Sequence, residues 1–126
     1  IDTILALKVP VISIIEGAAA SAATLISVVC NYRIIYPNSY MLIHQLSSST
    51  WGKMDELEDE MKNLKMLMDK IRTIYKTYTK LKSKELDNIL KHDIWWDAKR
   101  CLKSGLVNEI YKNENYYEFD RKKINL

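Results

Sequence analysis

The fold class follows from residues 11–21, which read VISIIEGAAAS. The first five are nearly all apolar and mostly β-branched, a pattern typical of a strand that is covered on both faces in a parallel sheet. Behind Gly17, small side chains allow a helix to start close against a neighbouring strand. We predict a helix over residues 18–27 with Ser21 in its first turn. The stretch therefore has the strand-then-helix order of an α/β fold.

Further strands are predicted on both sides of this unit. Short apolar runs indicate strands at residues 32–36, 40–45 and 106–111, with a turn between the first two at Pro37-Asn38-Ser39. The residues before Val11 have the pattern of a helix that ends ahead of Pro10. We see no internal repeat, and the strands alternate with helices, so the chain is predicted to be a layered α/β domain.

One long amphipathic helix separates the strands in the middle of the chain. Its apolar residues recur in alternating steps of four and three, which places them on one helical face. This stripe consists of Leu57, Met61, Leu64, Met68, Ile71, Tyr75 and Tyr78. We predict a helix from about Lys53 to Lys80, roughly 40 Å long at 1.5 Å per residue. Acidic residues near its start and basic residues near its end suit the helix dipole.

Two shorter helices follow. Ser83 can cap a helix that continues through Leu90, and Asp97 can cap another that ends at Gly105. Between them lies a bulky apolar patch, Ile94-Trp95-Trp96, directly after Asp93. Such a patch can hold a carboxylate in a dry setting.

Composition excludes several classes of protein. The 126 residues suit one domain, and 48% hydrophobic with 28% charged residues is typical of a globular chain. The net charge of +3 comes without a basic patch interleaved with aromatics, so we expect no nucleic-acid partner. No apolar run reaches the roughly 18 residues of a membrane span. We expect a cytoplasmic protein, with Cys30 and Cys101 as buried reduced thiols.

The start of the chain and the missing motifs add two expectations. The sequence opens with Ile1-Asp2-Thr3 rather than Met, in a helix-like stretch, so we expect a piece of a longer protein. It has no HExxH, no glycine-rich phosphate loop and no paired His/Cys spacing, so we expect neither a metal nor a cofactor.

Ser21 is the first candidate for chemistry. A serine at a helix start lies near unpaired amides and the positive end of the helix dipole, where negative charge developing on a bound carbonyl oxygen is stabilised. The plain alternative is an ordinary N-cap serine. Seen by itself, Ser21 fits the plain alternative better.

Two further residues have suitable chemistry. His44 lies near the end of an apolar strand, and an imidazole that titrates near neutral pH suits a general base. Alternatively, His44 is a buried structural histidine. Asp93 is the third candidate, and its alternative interpretation is an ordinary loop or capping aspartate. His92 could compete as a base, but nothing around it favours that role.

The three candidates lie in segments that resemble the ClpP-type serine peptidases. GAAASAA over residues 17–23 is similar to the nucleophile segment of that family, and PNSYMLIHQ over residues 37–45 resembles its P-N-S-x-x-M-I-H-Q segment. DIWWDA over residues 93–98, followed by SGLVN over residues 104–108, is similar to the segment with the family aspartate. The order Ser…His…Asp also differs from that of α/β-hydrolases, chymotrypsin-like and subtilisin-like enzymes.

The resemblance implies a catalytic triad and a substrate site. Ser21 would be the nucleophile, His44 the general base and Asp93 the residue that orients the histidine. The backbone amide of Ala22 would donate to the oxyanion, and Gln45-Leu46-Ser47 would bind substrate. A second oxyanion donor would lie upstream of Ile1.

The resemblance also implies an architecture and partners. The fold would be the crotonase-like α/β spiral, with residues 1–112 as the peptidase domain, incomplete at its N-terminus, and residues 113–126 as a tail. The long helix would be a handle between two stacked heptameric rings of a homo-oligomer. Unfolded protein chains would be the substrates, and an AAA+ unfoldase would be the partner that uses ATP.

Departures from the family pattern leave rival interpretations open. Leu46 replaces the usual proline, and Ser48-Ser49 replace glycines that let a substrate backbone pair with the edge strand. The rivals are a catalytically inactive ring subunit, a phage head-maturation-type protease and a crotonase-type acyl-CoA enzyme. A Ser-Lys signal-peptide peptidase does not fit the histidine segment.

Overall fold

The computed structural model describes residues 1–112. Helices and strands alternate along this part, which confirms the α/β class; the predicted tail, residues 113–126, lies outside the described residues. The helices are α1 (Asp2–Ala6), α2 (Ala22–Val28), α3 (Met54–Tyr78), α4 (Ser83–Ile89) and α5 (Ala98–Ser104). The strands are β1 (Ile12–Ile15), β2 (Ala18–Ala20), β3 (Tyr32–Ile35), β4 (Tyr40–Leu42), β5 (Trp95–Asp97) and β6 (Glu109–Ile110).

The strands form two small sheets. The first has the order β1-β3-β6 and is parallel throughout. The second has the order β2-β4-β5, with β4 parallel to β2 and antiparallel to β5. The chain passes from the first sheet to the second twice, between β1 and β2 and again between β3 and β4.

Ser39 joins these two crossings. Its hydroxyl accepts a hydrogen bond from the Gly17 N–H at 2.7 Å, and the Tyr40 N–H donates to the Gly17 carbonyl at 2.8 Å. Ser39 is 2% exposed, and Gly17 has a φ of 82°, a left-handed conformation that glycine adopts readily. These contacts fix where β2 and β4 start, and so set the register between them.

The predicted helix over residues 18–27 is wrong for its first four residues, since Ser21 is the N-cap of the helix and not part of it. Ala18–Ala20 form β2 instead, because each pairs with a residue of β4, and the helix begins only at Ala22. The sequence also missed β5, where Trp96 is buried opposite Met41.

Other strands are shorter or more exposed than predicted. The strand expected over residues 40–45 ends at Leu42, and the one expected over residues 106–111 is reduced to β6. In β1, Ile14 is 45% exposed, so this strand is covered on one face within the described residues, not on both.

The long helix is confirmed, and its apolar stripe divides into two halves. At 25 residues α3 is about 37 Å long. Towards its C-terminus Tyr75 is buried, and Met68 and Ile71 pack against the core. Towards its N-terminus Leu57 and Met61 are exposed. The first half therefore projects from the domain, while the second half belongs to it.

The ends of the shorter helices test the capping predictions. The Asp97 carboxylate accepts from the Arg100 N–H at 2.8 Å, and Gly105 ends α5 in the left-handed conformation, as predicted. Ser83 does not cap α4, since it is already the first helical residue and Lys82 holds the N-cap position. Within residues 1–112 no helix is both long and apolar enough to cross a membrane.

Replacing Gly105 should destabilise the fold. Its φ is 74°, and an added Cβ would lie 2.9 Å from Lys80 Cγ and 3.0 Å from the Lys80 backbone nitrogen. We expect Gly105→Ala to lower the free energy of unfolding by about 1–3 kcal/mol, measured by urea denaturation. Lys103→Ala, at an exposed site of the same helix, is the control and should change it by less than about 0.5 kcal/mol. Equal stability of the two variants would contradict the close approach.

The two thiols should be unreactive in the folded protein. Cys30 and Cys101 are free and buried, as predicted, and burial, reinforced by the nearby Asp97 carboxylate, raises the pKa of Cys101 to about 12. Because the thiolate is the reactive form, we expect no reaction with a disulfide reagent at pH 8 before denaturant is added, and reaction of both thiols after it. Rapid reaction of one thiol per chain in the native protein would contradict this burial.

Candidate active site

A cavity of about 180 Å³ gathers most of the predicted site residues. Its wall combines the start of α2, the segment after β4 and the C-terminal half of α3. The lining residues are Ser21, Ala22, Leu25, His44, Gln45, Leu46, Ser47, Ile71 and Tyr75. Every predicted site residue except Asp93 is among them.

Ser21 does not behave as an ordinary capping serine. It occupies the N-cap position of α2, but its hydroxyl makes no capping hydrogen bond. Its φ is 55° and its ψ −122°, and no other residue of the described chain except glycine has a positive φ. Such a conformation costs about 1–3 kcal/mol and persists only where the surroundings fix it.

Hydrogen bonds hold the Ser21 backbone on both sides. Its N–H donates to the Leu42 carbonyl at 2.9 Å, which continues the pairing of β2 with β4. Its carbonyl accepts from the Thr24 N–H at 3.0 Å and from the Thr24 hydroxyl at 2.6 Å. The main chain of Ser21 is thus fixed by hydrogen bonds, while its hydroxyl does not cap the helix.

Ala22 follows as the first residue of α2. The first N–H groups of a helix have no acceptor within the helix. The Ala22 N–H is therefore available, next to the Ser21 side chain and on the cavity wall.

His44 and Asp93 lie near each other but are loosely arranged. His44 Nδ1 is 3.8 Å from Asp93 Oδ1, beyond hydrogen-bonding distance. Their side chains are 25% and 81% exposed. In the described part of the chain, neither side chain is hydrogen bonded to Ser21. Catalytic hydrogen bonds are often long in enzymes without substrate and tighten when it binds.

The dry setting expected for Asp93 is wrong. The Asp93 carboxylate is largely in solvent, and Ile94 and Trp95 beside it are each about half exposed. Only Trp96 of this patch is buried, because it pairs with Met41 inside the second sheet. The apolar patch contributes to the sheet and does not enclose the carboxylate.

His92, the weaker candidate base, is exposed and does not line the cavity.

The segment after His44 is held to the domain by its amides. The Gln45 N–H donates to the Leu90 carbonyl at 3.1 Å, and the Leu46 N–H contacts Met68 Sδ at 3.3 Å. Gln45, Leu46 and Ser47 all line the cavity, but the amides of the first two are already occupied.

Two buried hydroxyls under the cavity were missed by the sequence reasoning. Thr24 is fully buried and Tyr75 is 1% exposed, and their oxygens lie 2.5 Å apart. Burial raises the pKa of Tyr75 to about 12. The available signals were a threonine among alanines and a hydroxyl within the apolar stripe. Neither signal indicates that the two hydroxyls lie in contact.

Comparison with known proteins gives the family. Residues 1–114 match the family model described as Clp protease. The chain is 34% identical over 114 residues to ATP-dependent Clp protease proteolytic subunit 2 of Treponema denticola, covering 89% of this chain and 57% of that protein. ATP-dependent Clp protease proteolytic subunits of Deinococcus radiodurans and Streptococcus mutans are 30% and 31% identical, over 111 and 117 residues.

These two alignments cover 86% and 90% of the chain, and 54% and 60% of the relatives. The chain therefore spans a little more than half the length of the relatives that it matches. With the family model matched over all of the described residues, and with the serine and histidine segments meeting at one cavity, the chain belongs to the Clp protease family.

Proposed function

We propose that this chain carries the catalytic residues of a serine endopeptidase. The observation that supports this most directly is the state of Ser21: a strained backbone at a helix start, a hydroxyl with no capping bond, and a shared cavity with His44. Strain of this kind is concentrated at functional sites. The family, whose relatives are named ATP-dependent Clp protease proteolytic subunits, supports the same reaction.

The proposed reaction is acyl transfer. Ser21 Oγ attacks the scissile carbonyl while His44 takes its proton and later gives it to the leaving amine. Since His44 Nδ1 is the nitrogen near Asp93, Nε2 is left for the serine. Asp93 fixes the tautomer once the 3.8 Å gap closes on a bound substrate.

The amide of Ala22 would stabilise the oxyanion of the tetrahedral intermediate. Donors placed where negative charge develops commonly lower the barrier more than any other single feature. We place the second donor in the chain upstream of Ile1, as the resemblance implies. Gln45, Leu46 and Ser47 would contact the substrate from the cavity wall.

The architecture and partners are part of the proposal. We assign the crotonase-like spiral to residues 1–112 and keep residues 113–126 as a tail. The projecting half of α3 would be the handle between stacked heptameric rings, since Met54, Leu57 and Met61 leave apolar surface exposed there. Unfolded chains delivered by an AAA+ unfoldase would be the substrates.

A second candidate is a catalytically inactive subunit that keeps the fold for ring assembly. The loose contact between His44 and Asp93, with the aspartate 81% exposed, favours it. Labelling with a serine-directed peptidyl phosphonate separates the two functions. An adduct on Ser21 of the full-length protein supports the peptidase, and its absence from an intact oligomer supports the inactive subunit.

Ser21→Ala should abolish peptidase activity. In the full-length protein, we expect kcat on a fluorogenic short peptide to fall by roughly a thousandfold or more, because loss of a triad nucleophile removes the covalent route. Ser83→Ala, at an exposed serine at the start of α4 and outside the cavity, is the matched control and should leave kcat unchanged. Activity of Ser21→Ala within tenfold of the parent would reject Ser21 as nucleophile.

A further inference from the structure

We infer that Thr24 and Tyr75 act together as positioning residues that aim the Ala22 amide into the cavity. This inference rests on the proposed function, because it concerns the oxyanion donor of that reaction. Tyr75 comes from α3, 51 residues away in the chain, and meets Thr24 beneath the cavity. Thr24 is fully buried and Tyr75 is 1% exposed, so the contact between the two side chains is almost completely shielded from solvent.

The direction of the hydrogen bonds follows from the atoms involved. A backbone carbonyl only accepts, so the single Thr24 hydroxyl proton goes to the Ser21 oxygen at 2.6 Å. The Thr24 oxygen then accepts from Tyr75, whose phenol is the donor of the 2.5 Å contact. The result is a directed series from Tyr75 through Thr24 to the Ser21 carbonyl, which we name the Tyr75–Thr24 relay.

The Ser21 carbonyl and the Ala22 N–H belong to one peptide unit. A trans peptide is planar, so its carbonyl and its N–H point in opposite directions. Fixing the carbonyl on the Thr24 side therefore fixes the direction of the Ala22 N–H on the other side. Together with the Thr24 N–H, which donates to the same carbonyl, the relay thus holds the direction of the proposed oxyanion donor, although neither of its residues needs to touch the reacting atoms.

The relay also distinguishes its two members. Thr24 acts directly on the carbonyl, whereas Tyr75 acts only by holding the Thr24 hydroxyl. Removing the threonine hydroxyl should therefore have the larger effect, and removing the tyrosine hydroxyl in addition should change little more. Two residues that merely fill space would instead show separate, additive losses.

Three single variants of the full-length protein, and the double variant Thr24→Val/Tyr75→Phe, test this. Thr24→Val keeps the shape and removes the hydroxyl, Thr24→Ser restores a hydroxyl, and Tyr75→Phe removes only the phenol oxygen. We expect Thr24→Val to lower kcat by roughly 10- to 100-fold with KM within about twofold, since a small misplacement of a catalytic group has effects of this size. We expect Tyr75→Phe to lower kcat by about 3- to 10-fold, and Thr24→Ser to stay within about twofold of the parent.

Inhibition by a peptide aldehyde provides a readout that a purely structural role would not change. The aldehyde forms a hemiacetal with the serine, and its oxygen occupies the oxyanion position. Thr24→Val should therefore weaken aldehyde binding by about the same factor as kcat, while KM for the substrate changes little. Thr77→Val, a substitution of the same kind at an exposed site of α3, is the matched control and should leave both constants unchanged.

A measurement that needs no activity completes the test. In a Ser21→Ala background, the amide of residue 24, which donates to the Ser21 carbonyl, should be less protected from hydrogen exchange in Thr24→Val than in Thr24→Ser, with each rate taken relative to the intrinsic rate of that residue. Unchanged exchange, additive losses in the double variant, or parental kcat in Thr24→Val would each overturn the relay. Failure of the proposed function is distinguishable, since it would appear as an inactive parent protein or as undiminished activity in Ser21→Ala.

Discussion

The parallel pairing of β2 with β4 is the constraint on which the site depends. It aligns Ala20 with Leu42, and the hydrogen bond from the Ser21 N–H to the Leu42 carbonyl extends it by one residue. The two strands end side by side, so the residues that follow them, Ser21 and His44, emerge at the same edge. Residues more than twenty positions apart in the chain therefore share one cavity wall.

That register is set further back, at the crossings between the sheets. A slip by one residue would turn every side chain of β2 to the opposite face. Gly17 and Ser39 prevent such a slip. The Gly17 N–H donates to the Ser39 hydroxyl where the chain leaves the first sheet, just before β2 and β4 start. Ser39 of the PNS segment is thus a structural residue that influences where Ser21 lies.

The sequence was informative where the signal is local. The stripe of α3, the cap at Asp97 and the stop at Gly105 depend on a few neighbouring residues, and the structure confirms them. The failures arose from partners distant in the chain. The three alanines of β2 have high helix propensity, but they form a strand because they pair with β4. Trp96 is likewise in a strand because it pairs with Met41. The Thr24–Tyr75 contact has the same origin and could not be deduced from either segment alone.

The occupied amides of Gln45 and Leu46 have a consequence for how a polypeptide would be selected. Main-chain pairing along an edge strand holds any sequence equally, because all residues except proline offer the same donor and acceptor. Here two of those donors are committed to Leu90 and Met68. Any recognition of a bound chain at these two positions would then depend on the side chains that line the cavity.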